Sequence, residues 1–141
     1  MERVAESREE MLALGEQFGK SLKAGDLVVL KGELGAGKTT FTQGIGRALG
    51  IDDVSSPTFV ISRVHKSNLP LVHVDAYRLL GNERSTLEFD DLDLDTAREE
   101  SIVVIEWGSE LATRLDDHYF LVEIDFVEGE DDSRKVVISK R

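Results

Sequence analysis

The sequence predicts an α/β fold: one domain over residues 1–141, with a central mixed sheet, few helices and a C-terminal antiparallel hairpin. Three observations carry that expectation. A short apolar run, a glycine-rich loop and an amphipathic segment follow one another between Asp26 and Gly50. The stretch "SIVVIEW" at 101–107 sets four aliphatic residues in succession, as in strands buried on both faces. Two β-rich runs, "HYFLVEIDFV" and "RKVVISK", flank the acidic stretch "EGEDDS" and read as a hairpin with that stretch as its turn.

The first element is a helix over Ser7–Lys23, where Met11, Leu14, Phe18 and Leu22 recur at helical spacing. Ser7 and Glu10 make an S-x-x-E capping box at its start, and Gly25 is the expected stop. "DLVVLKG" follows as a buried strand. "KTTFTQGIGRALG" is a second helix, with Phe41, Ile45, Ala48 and Leu49 on one face and Gly50 ending it. "TFVISRV" and "LVHVD" read as strands joined across the turn residues "KSNLP". Residues 81–99 are polar and acidic, anchored by Leu87, Phe89, Leu92 and Leu94, and are expected to form short helical or irregular pieces. Two convincing helices are too few for a doubly wound sheet, so part of the sheet must be antiparallel.

Composition narrows the function classes. The chain of 141 residues lacks cysteine, which excludes disulfides and thiolate metal sites. It contains no 18-residue apolar run, and its N-terminus is charged from the second residue, so a cytoplasmic protein is expected. The net charge of −11 lies wholly in the second half: residues 1–82 balance, whereas residues 83–141 carry 18 acids against 7 bases. Such a half repels a phosphate backbone and argues against independent nucleic-acid binding. It is either a solvated surface or a face for a basic partner protein.

The loop holds the most specific signal. Gly32 to Thr39, "GELGAGKT", fits G-x-x-x-x-G-K-[ST] between a strand and a helix. From average residue usage a chain of this length matches by chance in roughly one case in two hundred. Glycines let successive amides face inward as an anion nest, and the helix after Lys38 aims its positive end at the same place. Leu34, Gly35, Ala36, Gly37, Lys38, Thr39 and Thr40 are therefore the expected nucleotide-phosphate contacts. Lys38 would sit at the terminal phosphates and the Thr39 hydroxyl on Mg²⁺. The architecture becomes P-loop NTPase-like on this motif. No N-K-x-D stretch exists to read guanine, so ATP is the expected nucleotide.

A phosphate loop also needs an acid at the end of a neighbouring strand to hold the metal or its water. Asp75 ends "LVHVD" and Glu106 ends "SIVVIE". Neither has a second acid beside it, so slow intrinsic hydrolysis is expected. Thr58 in "SSPTF" could sense the γ-phosphate or serve only as a turn before a strand. His73, mid-strand, reads as a packed or hydrogen-bonded residue; Arg78 could neutralise phosphate charge, though a surface role is commoner.

"KGELGAGKTTF", "SPTF", "HVDAYRL" and "IEW" occur in an order and spacing that resemble the bacterial TsaE family. The resemblance covers essentially the whole chain. It implies an ATPase subunit for the threonylcarbamoyladenosine modification of tRNA, acting with TsaB and TsaD, of which TsaD carries the carbamoyl transfer. Any tRNA contact would then be indirect, through those partners. It further implies phosphate binding by Lys38, Mg²⁺ held by Thr39 and Glu106, support of metal or attacking water by Asp75, Thr58 in a switch loop, and Trp107 beside the active site. The stretch "LGNERSTLEFDDLDLD" follows the family's leucine-rich spacing loosely.

Two other classes compete. A small-molecule kinase needs an arginine-bearing lid, and residues 81–132 offer Arg84, Arg98 and Arg114 among many acids. A nucleotide-gated binding module without turnover is compatible with the missing acid beside Glu106.

Overall fold

Valine and leucine at 27–30 place the glycine loop, because they form the central strand that ends at it. In a computed structural model that describes residues 1–33, 35–52, 54, 62–75, 99–106 and 118–141, the elements are β1 (Glu2–Ala5), α1 (Arg8–Gly19), β2 (Leu27–Lys31), α2 (Lys38–Ala48), β3 (Ser62–His65), β4 (Leu71–Asp75), β5 (Ile102–Glu106), β6 (Phe120–Val127) and β7 (Glu130–Lys140). The strands make one sheet in the order β1-β7-β6-β2-β5-β4-β3. Strand β2 is parallel to β5 and β6, and β4 is parallel to β5. Antiparallel pairs extend both edges, β6 with β7 and β7 with β1 on one side, β4 with β3 on the other. The mixed sheet expected from the shortage of helices is the one formed.

All five residues of β5 are buried, in keeping with its aliphatic run. Val28, Leu30, Ile102, Val104, Val122 and Ile124 share a core with Phe18, Phe41 and Ile45 from the helices. The alternate residues Leu27, Val29, Val103 and Ile105 point to the opposite face and are buried as well. Phe18 stands between the layers, 5.8 Å from the Phe41 ring and 5.4 Å edge-on to Phe120.

Four details depart from the sequence expectation. Helix α1 ends at Gly19, short of Lys23. The Ser21 and Leu22 amides bond back to Phe18 and Gly19 carbonyls three residues earlier, so Leu22 keeps its buried place in a tightened turn rather than in the helix. Gly25 sits in a later turn at φ +93°, its amide donating to Ser101 O. The capping box is shifted: Ser7 Oγ accepts from the Glu10 amide at 3.1 Å, but Glu10 Oε2 accepts from Glu6 N at 2.6 Å, not from the Ser7 amide. The β6–β7 turn is Glu128-Gly129 alone, with Gly129 at φ +81°, and Glu130, Asp131 and Asp132 already belong to β7.

Strand β1 has no counterpart in the sequence reading. "ERVA" has one buried residue, Ala5, and its pairing partner lies over 125 residues away on β7. Residues 58–61 of "TFVISRV" and residues 81–98 lie outside the described residues, so neither expectation is tested in full. Among the described residues no helix is long and apolar enough to cross a membrane.

Candidate phosphate-binding site

The site lies at the carboxyl ends of β2, β4 and β5, where parallel strands hand over to their loops. After Gly32 the chain closes a turn in which Ala36 N donates to Glu33 O at 3.0 Å. Gly35 and Gly37 take φ of +83° and +114°, left-handed values that a side chain would strain. Gly32 answers a different demand, since a Cβ there would lie 2.5 Å from Ile124 O on β6.

Gly37 is the N-cap of α2 and provides no side-chain acceptor, and the first turn contains no acid. Phe41 N is the first amide to bond back, to Gly37 O at 2.9 Å. The amides of Lys38, Thr39 and Thr40 precede that first return bond. A helix start left in this state is suited to an anion.

Lys38 is 5 % exposed. Its Nζ donates to Gly32 O at 2.7 Å and Glu33 O at 3.0 Å, so the ammonium is folded back onto the loop. Burial pushes its pKa below the ordinary lysine value, against the opposing pull of the Glu106 and Asp75 carboxylates. Those two acids are direct register partners on β5 and β4. Glu106 is buried, and its Oε2 lies 2.6 Å from His73 Nε2. The structure thus brings Lys38, Asp75 and Glu106 near one another, and His73 is both packed and hydrogen-bonded, with Glu106 as its partner. Thr39 and Thr40 lie half-buried on the first turn of α2. Leu34, Thr58, Arg78 and Trp107 lie outside the described residues.

Beside the loop opens a cleft of about 370 Å³, walled by Ser7, Arg8 and Met11 of the α1 start, Gly35–Gly37 and Thr40 of the loop, and Asp132 and Arg134 of β7. Arg8 is tied to Gln43 Oε1 at 3.0 Å, and Arg134 donates to Asp131 O and Ser133 O while lying 4.4 Å above the Phe126 ring. The β7 wall was invisible in the sequence, where Asp132 and Arg134 are about 100 residues from the loop. Alternation of polar and apolar residues along β7 could have placed Asp132 and Arg134 on one face, but nothing local tied that face to Gly35.

Among the described residues no group of three or more His, Asp and Glu side chains could hold a metal ion.

As a class, these elements define a mixed α/β protein with an anion-ready loop at the carboxyl edge of its parallel strands. The family described as threonylcarbamoyl adenosine biosynthesis protein TsaE matches residues 5–136, and the chain belongs to that family. It is 48% identical over 135 residues to the tRNA threonylcarbamoyladenosine biosynthesis protein TsaE of Streptomyces coelicolor, covering 92% of this chain and 89% of that one. Identity to the protein of the same name from Mycobacterium bovis is 45% over 130 residues, covering 87% and 77%. The crystal structure of Bacillus subtilis YdiB superposes with a TM-score of 0.75 at 28% identity, over 98% of this chain and 83% of that one.

Proposed function

We propose that this chain binds ATP with Mg²⁺ at the 32–40 loop and hydrolyses it as the ATPase subunit of the cytoplasmic machinery that makes threonylcarbamoyladenosine in tRNA. Its partners in this reading are TsaB- and TsaD-family proteins, which alone touch the tRNA. The observation that carries the reading is one buried lysine at the mouth of an acid-free helix start, facing two carboxylates from adjacent strand ends.

The residues divide the work. Amides of Gly35 to Thr40, with Leu34 completing the loop, receive phosphate oxygens. Lys38 exchanges the Gly32 and Glu33 carbonyls for the terminal phosphates. Thr39 and Glu106 would hold Mg²⁺, which neutralises phosphate charge when bound. Asp75 orients the attacking water or the metal's water shell, and Thr58 acts from its switch loop. Because Asp75 stands beside Glu106 in register, a second acid is present even though none is adjacent in sequence. This favours turnover over a gated module that never hydrolyses.

Phosphate release from ATP should be slow with the purified protein, rise when TsaB- and TsaD-family partners are added, and vanish with Lys38→Met. No release in any mixture would overturn the ATPase reading, and labelled phosphate on a small acceptor would mark a kinase instead.

The cleft beside Thr40 takes the nucleoside half of ATP in this reading, since its volume falls in the ordinary range for ligand pockets. Arg134→Ala should weaken ATP binding about tenfold in calorimetry and leave inorganic tripolyphosphate binding unchanged. Equal losses for both ligands would move the nucleoside out of the cleft.

A further inference from the structure

Buried polar groups are mostly hydrogen-bonded, and a buried residue with a polar atom left without a partner calls for an explanation. His73 is such a residue. It lies on β4, fully buried, between the buried valines Val72 and Val74, and pairs in register with Val104. Its Nδ1 has no hydrogen-bond partner, a cost that leucine or valine at the same position would avoid. Its Nε2, by contrast, meets Glu106 Oε2 at 2.6 Å. A carboxylate accepts and does not donate, so Nε2 carries the proton and gives it to that oxygen.

We propose that His73 is a positioning residue: its Nε2–H holds the Glu106 carboxylate by Oε2 in the place from which it would serve the metal of the bound nucleotide. The inference rests on the reading of Glu106 as a Mg²⁺ ligand. A glutamate at a strand end has three side-chain torsions, and the register alone fixes none of them. His73 reaches diagonally across the β4–β5 pair, from the position beside Val104 to the residue two further along β5. It anchors the carboxylate from below, within the core, while Asp75 flanks it at the strand end. A partner that orients a metal ligand in this way commonly changes metal affinity 10–100-fold when removed.

The test titrates Mg²⁺ against ADP binding, followed by calorimetry, with parallel measurements in EDTA. Four variants are compared with wild type: Glu106→Gln, His73→Leu, His73→Gln and His73→Asn. Glu106→Gln should raise the half-saturating Mg²⁺ concentration. If it does not, the metal reading of Glu106 fails, and the role of His73 fails with it. Given that rise, His73→Leu should raise the requirement about tenfold, with ADP affinity in EDTA within twofold of wild type. His73→Gln, whose amide N–H reaches the place of Nε2, should stay within threefold of wild type. His73→Asn, whose amide reaches only the place of Nδ1, should resemble the leucine variant. A wild-type Mg²⁺ requirement in His73→Leu, or equal shifts in the Gln and Asn variants, would overturn the proposal. The Gln–Asn comparison carries the test even where the leucine variant does not fold.

Discussion

Lys38→Met is expected to abolish nucleotide binding and, in the nucleotide-free protein, to raise the melting temperature. The two halves come from the same atom. In the proposed complex with ATP, Nζ would serve phosphate oxygens through charge-assisted contacts worth about 1.5–3 kcal/mol each. Losing two of them weakens binding at least about a hundredfold. Without nucleotide, the ammonium is buried and satisfied by the carbonyls of Gly32 and Glu33, with Glu106 and Asp75 in its field. Burial outweighs those carboxylates, because the pKa is depressed and not raised. The folded state therefore carries a charge it disfavours, and an apolar chain of similar length removes that burial cost. A gain in the nucleotide-free protein is the expected sign.

The pH dependence has a definite sign. The unfolded chain holds the Lys38 proton up to the ordinary value of 10.5, whereas the folded chain releases it earlier. Between those points the unfolded state binds more protons, so the wild type gains stability as pH rises through that window. Lys38→Met lacks this increment, and its advantage should shrink as pH climbs toward 10.5. Thermal melts of both proteins across that range, with and without Mg-ATP, check the whole set. A methionine variant that melts below wild type at neutral pH would show that the loop carbonyls depend on the ammonium, and that the site is not strained in waiting.

How legible this was in sequence depended on the range of the interactions involved. Gly32-Glu-Leu-Gly-Ala-Gly-Lys-Thr could be read because loop, lysine and helix start are contiguous, and the requirement for positive φ at Gly35 and Gly37 is local. Strand β5 could be read because burial on both faces leaves a run of aliphatics. The pairing of Asp75 with Glu106 was half visible: each acid ends an apolar run, but only the register of β4 on β5 makes them neighbours. The His73–Glu106 contact spans 33 residues and depends on that same register, so a single histidine among valines can be read as packed or hydrogen-bonded but its partner cannot. Strand β1 is set by pairing with β7 over more than 100 residues, and the β7 wall of the cleft lies about 100 residues from the loop. The end of α1 was misread because Leu22 keeps the helical period after the backbone has left the helix.

The helix pair supplies the sharpest case, because there local propensity and packing predict opposite signs. Gly15 lies in the interior of α1, where Gly→Ala would ordinarily stabilise by about 0.5–1 kcal/mol. In the fold, a Cβ on Gly15 would run into the Phe41 carbonyl of α2 and lie 3.1 Å from the Gly44 Cα. The contact is reciprocal: a Cβ on Gly44 would come within 2.9 Å of both Glu16 N and Gly15 Cα. Both obstacles are backbone, which cannot rotate aside as a side chain can, so α1 must shift bodily. Overpacking of this kind costs about 1–3 kcal/mol, and more where nothing yields. Gly15→Ala should therefore lower stability by about 3 kcal/mol and the melting temperature by roughly 10 °C. Gly129→Ala is the control: its Cβ would enter open space, so it bears the cost of positive φ alone, about 1 kcal/mol. The effect should also reach the site, because Met11 on α1 touches the loop, its Cε 3.2 Å from where a Gly37 Cβ would stand. Moving α1 moves Ser7, Arg8 and Met11, one wall of the cleft, so nucleotide affinity should fall together with stability. Gly129→Ala should lose stability without losing affinity. A Gly15→Ala protein that melts at or above wild type would mean that propensity governs this position, and that the two helices do not meet backbone to backbone.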